Sequence, residues 1–218
     1  VLLSTVIGLL WGLRCGYKKG SSFEKISTTF QIIVNTMPTF LIALVLLILF
    51  CFRQRWFPYT GLNSAGAVPG TAGDFWDRIH HLILPVLTLT VAAAPSRYLL
   101  MRNTVRQVTE EKYVLYAKER GLSDSKIQFG YILKNIAQPF ITMVGMSVST
   151  CIGGSLVVEK LFSIGMGSLL SDAVYTLDYP LMQGILFVTT AIMTISIVVT
   201  DLICILIDPK VRFGGGPA

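Results

Sequence analysis

Long apolar stretches alternate with short polar segments along the whole chain. Four of them, residues 27–52, 79–101, 136–158 and 181–207, reach the length of about 20 residues that a helix needs to cross a bilayer. A fifth, residues 1–13, is shorter and begins without Met or a charged residue. We interpret it as the end of a span that starts before the printed sequence. The pattern predicts an all-α polytopic membrane protein with five visible spans, the first truncated.

The composition agrees with a membrane protein. Of 218 residues, 53% are hydrophobic and only 14% are charged, whereas soluble domains carry about 25% charged residues. This balance excludes a disordered chain. The four cysteines lie far apart with no Cys-x-x-Cys spacing, so they indicate neither a disulfide framework nor a zinc site. We therefore expect one transmembrane domain over residues 1–218, a fragment that lacks its N-terminal span.

The basic residues are concentrated in alternate connecting segments. Residues 14–25, 102–138 and 208–218 hold 13 of the 18 Lys and Arg side chains, and residues 53–78 and 159–180 hold four. By the positive-inside rule, the long segment 102–138 and the C-terminus lie in the cytoplasm. The net charge of +6 therefore reflects topology, and we expect membrane lipid and no nucleic acid as a partner.

Several polar residues and prolines interrupt the predicted spans. Pro38 has Asn35, Thr36 and Thr39 beside it, and Thr88 lies in the next span. A proline removes a helical hydrogen bond, and membranes tolerate this where neighbouring helices or a wet cavity satisfy the freed carbonyl. These five residues are candidates for lining a translocation pathway, and a packed kink is the alternative.

Small residues recur every four positions in the fourth predicted span. Gly145, Ser149 and Gly153 form a small-xxx-small pattern, which lets helix backbones approach closely in lipid. The pattern alone leaves open whether the partner helix is internal or belongs to another subunit.

The basic segment 102–138 is too long for an unstructured loop in a compact protein. Residues 110–120 are rich in helix formers and end at Gly121, a residue typical of the position after a helix. Ser123 is an expected N-cap of a second helix, with Asp124 in its first turn. That helix places apolar and basic residues at helical spacing: Lys126, Ile127, Phe129, Ile132 and Leu133. The segment predicts a helix, a glycine corner and another helix.

Residues 112–140 resemble the EAA coupling segment of ATP-binding-cassette (ABC) importer permeases, in the form used by the dipeptide/oligopeptide/nickel group. The matching positions are Tyr113, Val114, Ala117, Gly121, Leu122, Ser123, Asn135 and Pro139. Leu115 and Tyr116 depart from the general motif, which has Glu and Ala there. The end of the segment is longer than in the general motif and contains Asn. This longer form also departs from the general motif, and it is typical of the peptide group.

The resemblance extends over nearly the whole chain. A Pro-x-Phe signature in the second visible span is similar to that group's, as are Asp201 and the closing Asp-Pro-Lys-Val-Arg-Phe. The segment before the last span matches at Glu159, Phe162, Gly167, Leu170, Ala173, Asp178, Tyr179, Pro180, Gln183 and Gly184.

The resemblance implies a type I ABC importer permease in a bacterial or archaeal plasma membrane. Such a subunit pairs with a second homologous permease above two ATPase subunits and receives substrate from an extracytoplasmic binding protein. The sequence has no Gly-x-x-x-x-Gly-Lys-Ser/Thr motif, so no phosphate-binding P-loop is present. We expect a non-catalytic chain without a bound cofactor or metal, whose partners use ATP and Mg.

The resemblance also assigns the contact with the ATPase. The candidate coupling residues are Tyr113, Ala117, Lys118, Glu119, Arg120, Gly121, Leu122, Ser123 and Asp124. A short helix seated in an ATPase groove can transmit ATPase closure to the spans as a rigid-body motion. A basic amphipathic helix lying on the anionic inner leaflet is the alternative.

Other classes of function fit the sequence less well. An intramembrane serine protease would need a nucleophile and a base, for which Ser155 and His80 or His81 are the candidates. The two histidines also suggest nickel binding, but no Cys or carboxylate stands at ligand spacing. An ion channel needs rings of charge or a carbonyl filter, which the sequence lacks. Di- or oligopeptides are the expected substrates, with nickel or another small solute as the alternative.

Overall fold

The computed structural model describes residues 1–136, 140–141, 143–145, 147 and 156–207, and their regular structure is helical, without a strand. In chain order the helices are α1 (Leu2–Tyr17), α2 (Ser22–Thr36), α3 (Thr39–Leu46), α4 (Ala72–Thr109), α5 (Lys112–Glu119), α6 (Asp124–Lys126), α7 (Leu156–Leu161), α8 (Gly165–Thr176) and α9 (Tyr179–Ile207). Two π-helical segments, Leu47–Arg53 and Ile127–Ile132, extend α3 and α6.

Two of the described helices are long and apolar enough to cross a membrane. They are α4, with 38 residues, and the segment Tyr179–Ile203 of α9, with 25. The pair formed by α2 and α3 with its π-helical extension makes a third if both belong to one crossing. Helix α1 is apolar but only 16 residues long. The prediction of an all-helical multi-pass protein is confirmed for the described residues, whereas five spans stay a prediction.

The predicted span over residues 27–52 is not one continuous helix. Helix α2 ends at Thr36, and α3 begins at Thr39 after Pro38, which has φ −58° and ψ 139°. Proline has no amide hydrogen, and it disfavours helical backbone at the preceding residue. The break therefore lies where the sequence predicts an interruption.

The chain divides into two compact units. The first unit comprises residues 1–35, 93–149 and 194–218, and the second comprises residues 36–92 and 150–193. The first has a core drawn from α1, α4, α5 and the residues after α6: Leu13, Met101, Val105, Val114, Ala117, Ile127, Ile132 and Ile136. The core of the second is Ala43, Leu47, Cys51, Leu84, Val158 and Phe162.

In the first unit, glycines bring α1 against the second half of α4. A Cβ atom at Gly12 would lie 2.7 Å from the Cβ of Met101 and 2.9 Å from the carbonyl oxygen of Tyr98. Gly8 and Gly16 approach α4 just as closely. The three glycines stand four residues apart, so they form the small-xxx-small pattern that permits close helix contact. The repeat was not among the features predicted from the sequence.

Gly145 also lies at a close helix contact within the first unit. A Cβ atom there would collide with the side chain of Thr200 in α9. The partner of this glycine is thus internal to the chain. The other two members of the predicted stripe, Ser149 and Gly153, lie outside the described residues.

Candidate functional site

The predicted glycine corner forms between α5 and α6, with Gly121 at its centre. Gly121 has φ +73°, a conformation that glycine adopts without the steric cost of a side chain. Its N–H donates to the Lys118 carbonyl (2.9 Å), and the N–H of Leu122 donates to the Ala117 carbonyl (3.3 Å). This pair of bonds is the Schellman motif, which satisfies carbonyls at a helix end. The structure thus has a helix, a corner and a helix in the predicted order, and their role as a cytoplasmic coupling segment stays a prediction.

Helix α6 begins directly after the corner. Ser123 occupies the predicted N-cap position with extended backbone (φ −63°, ψ 147°), but its side chain makes no capping hydrogen bond. Asp124 lies in the first turn, as predicted. The helix then passes into the π-helical segment Ile127–Ile132, a geometry that is frequent at functional sites.

The inner face of the corner is part of the core of the first unit. The first arm of the corner is α5, and the second arm is α6 with the π-helical segment that follows it. Val114 and Ala117 of the first arm pack in one cluster with Ile127 of the second arm and with Leu13 and Met101. Full burial of a Val or Ile side chain contributes about 1.5–3 kcal/mol. The corner is therefore fixed to α1 and α4 by apolar packing on both of its arms.

Tyr17, at the end of α1, contacts both arms of the corner. Its hydroxyl donates to Oδ1 of Asp124 at 2.7 Å, and Nζ of Lys118 lies 5.2 Å from the centre of its ring. Burial, the hydrogen bond and the Asp124 charge raise the pKa of Tyr17 to about 12. A cation over an aromatic face is attracted by the ring quadrupole. Tyr17 thus joins two of the predicted coupling residues, a role that no pattern in the sequence indicated.

The outer face of the corner exposes apolar side chains. The exposed fractions are 45% for Leu115 and 61% for Tyr116, both in α5. Tyr113 is 37% exposed, and partial burial raises its pKa. Glu119 and Arg120 are exposed as well. Leu115 and Tyr116, the two departures from the general motif, therefore lie on the accessible surface.

Ion pairs connect the part of the chain just before the corner, in and directly after α4, to the region of α1 and α2. Lys19 donates to Glu110 at 2.7 Å, and this hydrogen bond holds the pKa of the Glu110 carboxyl below its usual value. A second pair is buried. Oε1 of Glu24 in α2 accepts from both Nε (2.7 Å) and Nη2 of Arg102 in α4, and Nη1 of Arg106 lies 3.8 Å away.

The predicted pathway residues occupy two different environments. Asn35 and Thr36 are exposed at the end of α2, Pro38 is exposed before α3, and Thr39 is half-buried. Thr88 is fully buried in α4, and its hydroxyl donates to the Leu84 carbonyl at 2.9 Å. A pathway-lining role for all five stays a prediction.

The two histidines of α4 lie within hydrogen-bonding distance of backbone carbonyls in the segment between α3 and α4. Nε2 of His80 is 3.0 Å from the Trp56 carbonyl oxygen, and Nδ1 of His81 is 2.9 Å from that of Gly61. Ser155, the candidate nucleophile, lies outside the described residues. Within the described part of the chain, no group of three or more His, Cys, Asp or Glu side chains is placed to hold a metal ion.

Glu159 and Gly167, which match the family pattern, form a structural pair in the second unit. Oε2 of Glu159 accepts from the N–H of Gly167 at 2.7 Å. A Cβ atom at Gly167 would collide with the carbonyl oxygen of Leu156. These two residues therefore hold α7 against α8.

Comparison with known proteins identifies the family of the chain. Residues 4–213 match the family described as binding-protein-dependent transport system inner membrane component. The chain belongs to this family, so the predicted family is confirmed. It is a multi-pass protein of the plasma membrane.

Relatives with related names align over almost the whole chain. The probable peptide ABC transporter permease protein y4tP of Sinorhizobium fredii is 31% identical over 98% of this chain and 66% of its own length. The di/tripeptide transport system permease protein DppB of Pseudomonas aeruginosa is 32% identical over 97% of this chain and 68% of its own. The oligopeptide transport system permease protein AppB of Bacillus subtilis is 28% identical over 98% and 68%. The chain thus spans about two thirds of the length of these relatives.

Proposed function

We propose that this chain is a permease subunit of an ABC importer with the type I fold. Its five visible spans belong to one transmembrane domain, residues 1–218, and residues 102–138 form the cytoplasmic coupling segment. The observation that carries the proposal is the two-sided glycine corner. Its inner face is buried in the core of the first unit, and its outer face presents Leu115 and Tyr116.

The corner suits the transmission of motion from an ATPase. Exposed aromatic and aliphatic side chains are typical anchors in a partner's groove. Because Val114, Ala117 and Ile127 are buried with residues of α1 and α4, a displacement of the corner moves those helices as a body. The coupling residues do no chemistry themselves, and the chain is a non-catalytic transport subunit.

The remaining subunits follow from this role. The chain pairs with a second homologous permease, two ATPases bind the cytoplasmic face, and an extracytoplasmic binding protein delivers substrate. ATP and Mg are used by the ATPases. The distribution of Lys and Arg places the C-terminus in the cytoplasm.

Peptides are the proposed substrates. The printed names of the aligned relatives, which describe peptide, di/tripeptide and oligopeptide permeases, support this. Exposed polar residues such as Asn35 and Thr36 suit a pathway that tolerates varied side chains. The pathway-lining roles of Pro38, Thr39 and Thr88 belong to the same proposal.

Reconstitution of the full-length chain tests the proposal. The chain is co-purified with the permease, ATPases and binding protein encoded beside its gene and placed in proteoliposomes. We expect uptake of a radiolabelled dipeptide that requires both ATP and the binding protein. Peptide flux without ATP would point to a channel and contradict the proposal. ATP-driven uptake of nickel but not of dipeptide would overturn the substrate assignment alone.

A further inference from the structure

A polar cavity lies beside the coupling corner within the first unit. It has a volume of about 360 Å³ and is formed by the last two turns of α1 and by the second arm of the corner. Its lining residues are Leu10, Leu13, Arg14, Lys18, Asp124, Ser125, Gln128 and Phe129. The first wall carries two leucines followed by two basic residues, and the second wall carries three polar residues and Phe129.

The basic residues of the cavity continue an apolar surface stripe. Leu3, Ile7 and Leu10 are 58%, 41% and 50% exposed, and Arg14 and Lys18 follow on the same face because residues three and four apart are neighbours on a helix. An exposed apolar stripe on a membrane helix faces acyl chains, and basic residues at its end lie at the level of the lipid headgroups.

The charges of the cavity suit one phosphodiester. No salt bridge to Arg14 or Lys18 is formed by any of the residues that the structure describes. The carboxylate of Asp124 also lines the cavity, and it already accepts the Tyr17 hydroxyl. Two cations and one carboxylate leave a net charge of +1, opposite to the single negative charge of a phosphodiester. Ser125 and Gln128 add hydrogen-bonding side chains of the kind that a hydroxylated headgroup contacts.

We propose that this cavity binds the headgroup of an anionic phospholipid from the cytoplasmic leaflet. Arg14 and Lys18 contact the phosphate, and an acyl chain lies along Leu3, Ile7 and Leu10. Since the second wall of the cavity is the second arm of the corner, the bound lipid supports the corner from the membrane side. The leaflet assignment rests on the topology in the proposed function.

Lipid association of the full-length chain in nanodiscs tests this inference. Binding of spin-labelled phosphatidylglycerol and phosphatidylcholine is measured by electron paramagnetic resonance on the wild type and on the Arg14→Gln/Lys18→Gln double variant. Each basic residue near a membrane surface contributes about a fivefold preference for anionic lipid, so we expect the double variant to lose about 30-fold in its preference for phosphatidylglycerol.

A matched control removes two other basic side chains. Lys25→Gln/Lys134→Gln changes the net charge equally, at exposed positions in basic segments of the first unit that do not line the cavity. This control should keep the wild-type preference. Equal losses in the two double variants would overturn the inference, because they would show general surface attraction.

Inorganic phosphate distinguishes a lipid site from a site for free phosphate. Phosphate added at equal ionic strength in place of chloride should leave phosphatidylglycerol binding unchanged, and displacement of the lipid would overturn the lipid assignment. The readout is lipid association and not transport. Failure of the proposed transport function would therefore leave this result intact, and the reverse also holds.

Discussion

Gly121 is the residue at which the chain turns from α5 to α6. Nothing lies within 4 Å of a Cβ atom built on it, so the demand for glycine comes from the backbone dihedral of +73° and not from lack of space. At the same scale, Tyr17 holds the corner through single contacts to Asp124 and Lys118. The shape of the corner therefore depends on the left-handed backbone conformation of Gly121. One of the contacts that attach the corner to α1 is made by the phenol of Tyr17.

Substitution of Gly121 tests the backbone requirement. Gly121→Val places a β-branched residue in the left-handed region, at a cost of about 1–3 kcal/mol. We expect the chain to reach the membrane at normal levels but peptide uptake and substrate-stimulated ATPase activity to be lost. Gly121→Asn, which tolerates this conformation, should retain most activity. Undiminished uptake by the valine variant would refute the coupling role.

The contact between Tyr17 and Asp124 is tested by a double-mutant cycle. Tyr17→Phe removes the hydroxyl but keeps the ring beneath Lys118. Because the bond is exposed, we expect Tyr17→Phe to cost about 0.5–1.5 kcal/mol. Asp124→Asn combined with Tyr17→Phe should cost less than the two single changes added together. Tryptophan fluorescence during thermal unfolding in detergent measures this, and strict additivity would show that the bond contributes nothing.

The pH dependence of the Tyr17 contact follows from its raised pKa. A pKa raised from 10.0 to about 12 in the folded state means that the neutral phenol is favoured. Its contribution to stability is complete below about pH 10 and is lost as the pH rises through about 12. In an ultraviolet titration, subtraction of the Tyr17→Phe curve from the wild-type curve should leave one phenol that ionises near pH 12.

The elements of the first unit are joined by close helix contacts and a buried ion pair. Helix α1 approaches α4 through Gly8, Gly12 and Gly16. Helix α2 is tied to α4 by Glu24, whose side chain is only 5% exposed. Both contacts lie in the unit that carries the corner, so each helps to fix the positions of the helices against which the corner packs.

Two glycine substitutions separate packing from helix propensity. Gly12→Ala would force α1 away from α4, at a typical cost of about 1–3 kcal/mol for an overfilled contact. Gly130→Ala meets nothing within 4 Å and should gain up to about 1 kcal/mol from propensity. Thermal unfolding in detergent should therefore move in opposite directions for the two variants. A stabilised Gly12→Ala variant would contradict the observed helix contact.

Glu24→Gln tests the buried ion pair against an exposed one. Removing the charge of Glu24 leaves Arg102, whose side chain is 14% exposed, without its counter-charge, and the loss of one partner of a buried pair costs up to about 3–5 kcal/mol. Glu110→Gln breaks the exposed pair with Lys19 and should change little. The unfolding temperatures of the two variants compare the pairs directly. Equal shifts would mean that burial does not strengthen the Glu24 contact.

The sequence predicted the helices and the turn of the corner better than the contacts that attach them to α1 and α4. The C′ position of Gly121 and the N-cap position of Ser123 follow from local backbone rules, which act over a few residues. Tyr17 lies far from Asp124 in sequence, so no local pattern pairs them. The three glycines of α1 were visible as a four-residue repeat, but a repeat does not name its partner helix. Hydropathy marked residues 27–52 as one apolar stretch, and Pro38 within it predicted the interruption that separates α2 from α3.

At the scale of the whole molecule, the distribution of charge supports the proposed direction of insertion. The segments with 13 basic residues alternate with those that hold four. In the proposed topology, the coupling corner and the loop between α3 and α4 lie on opposite sides of the membrane. This one topology therefore accounts both for the apolar composition of the chain and for the unequal distribution of basic residues between the two sides of the membrane.

Cysteine labelling tests this topology in cells. In a full-length variant with its native cysteines replaced by alanine, Ala65→Cys and Lys112→Cys each introduce a thiol at an exposed position. A membrane-impermeant maleimide should label position 65 in intact cells, and position 112 only after the membrane is permeabilised. The reverse pattern would invert the proposed orientation and move the corner away from any cytoplasmic ATPase.

The burial of Val114, Ala117 and Ile127 beside Leu13 and Met101 also orders the events of assembly. The two arms take their relative positions only when α1 and α4 have packed, so the surface that carries Leu115 and Tyr116 does not exist on a newly inserted, unpacked chain. In the proposed function, recruitment of the ATPase then depends on completed folding of the permease.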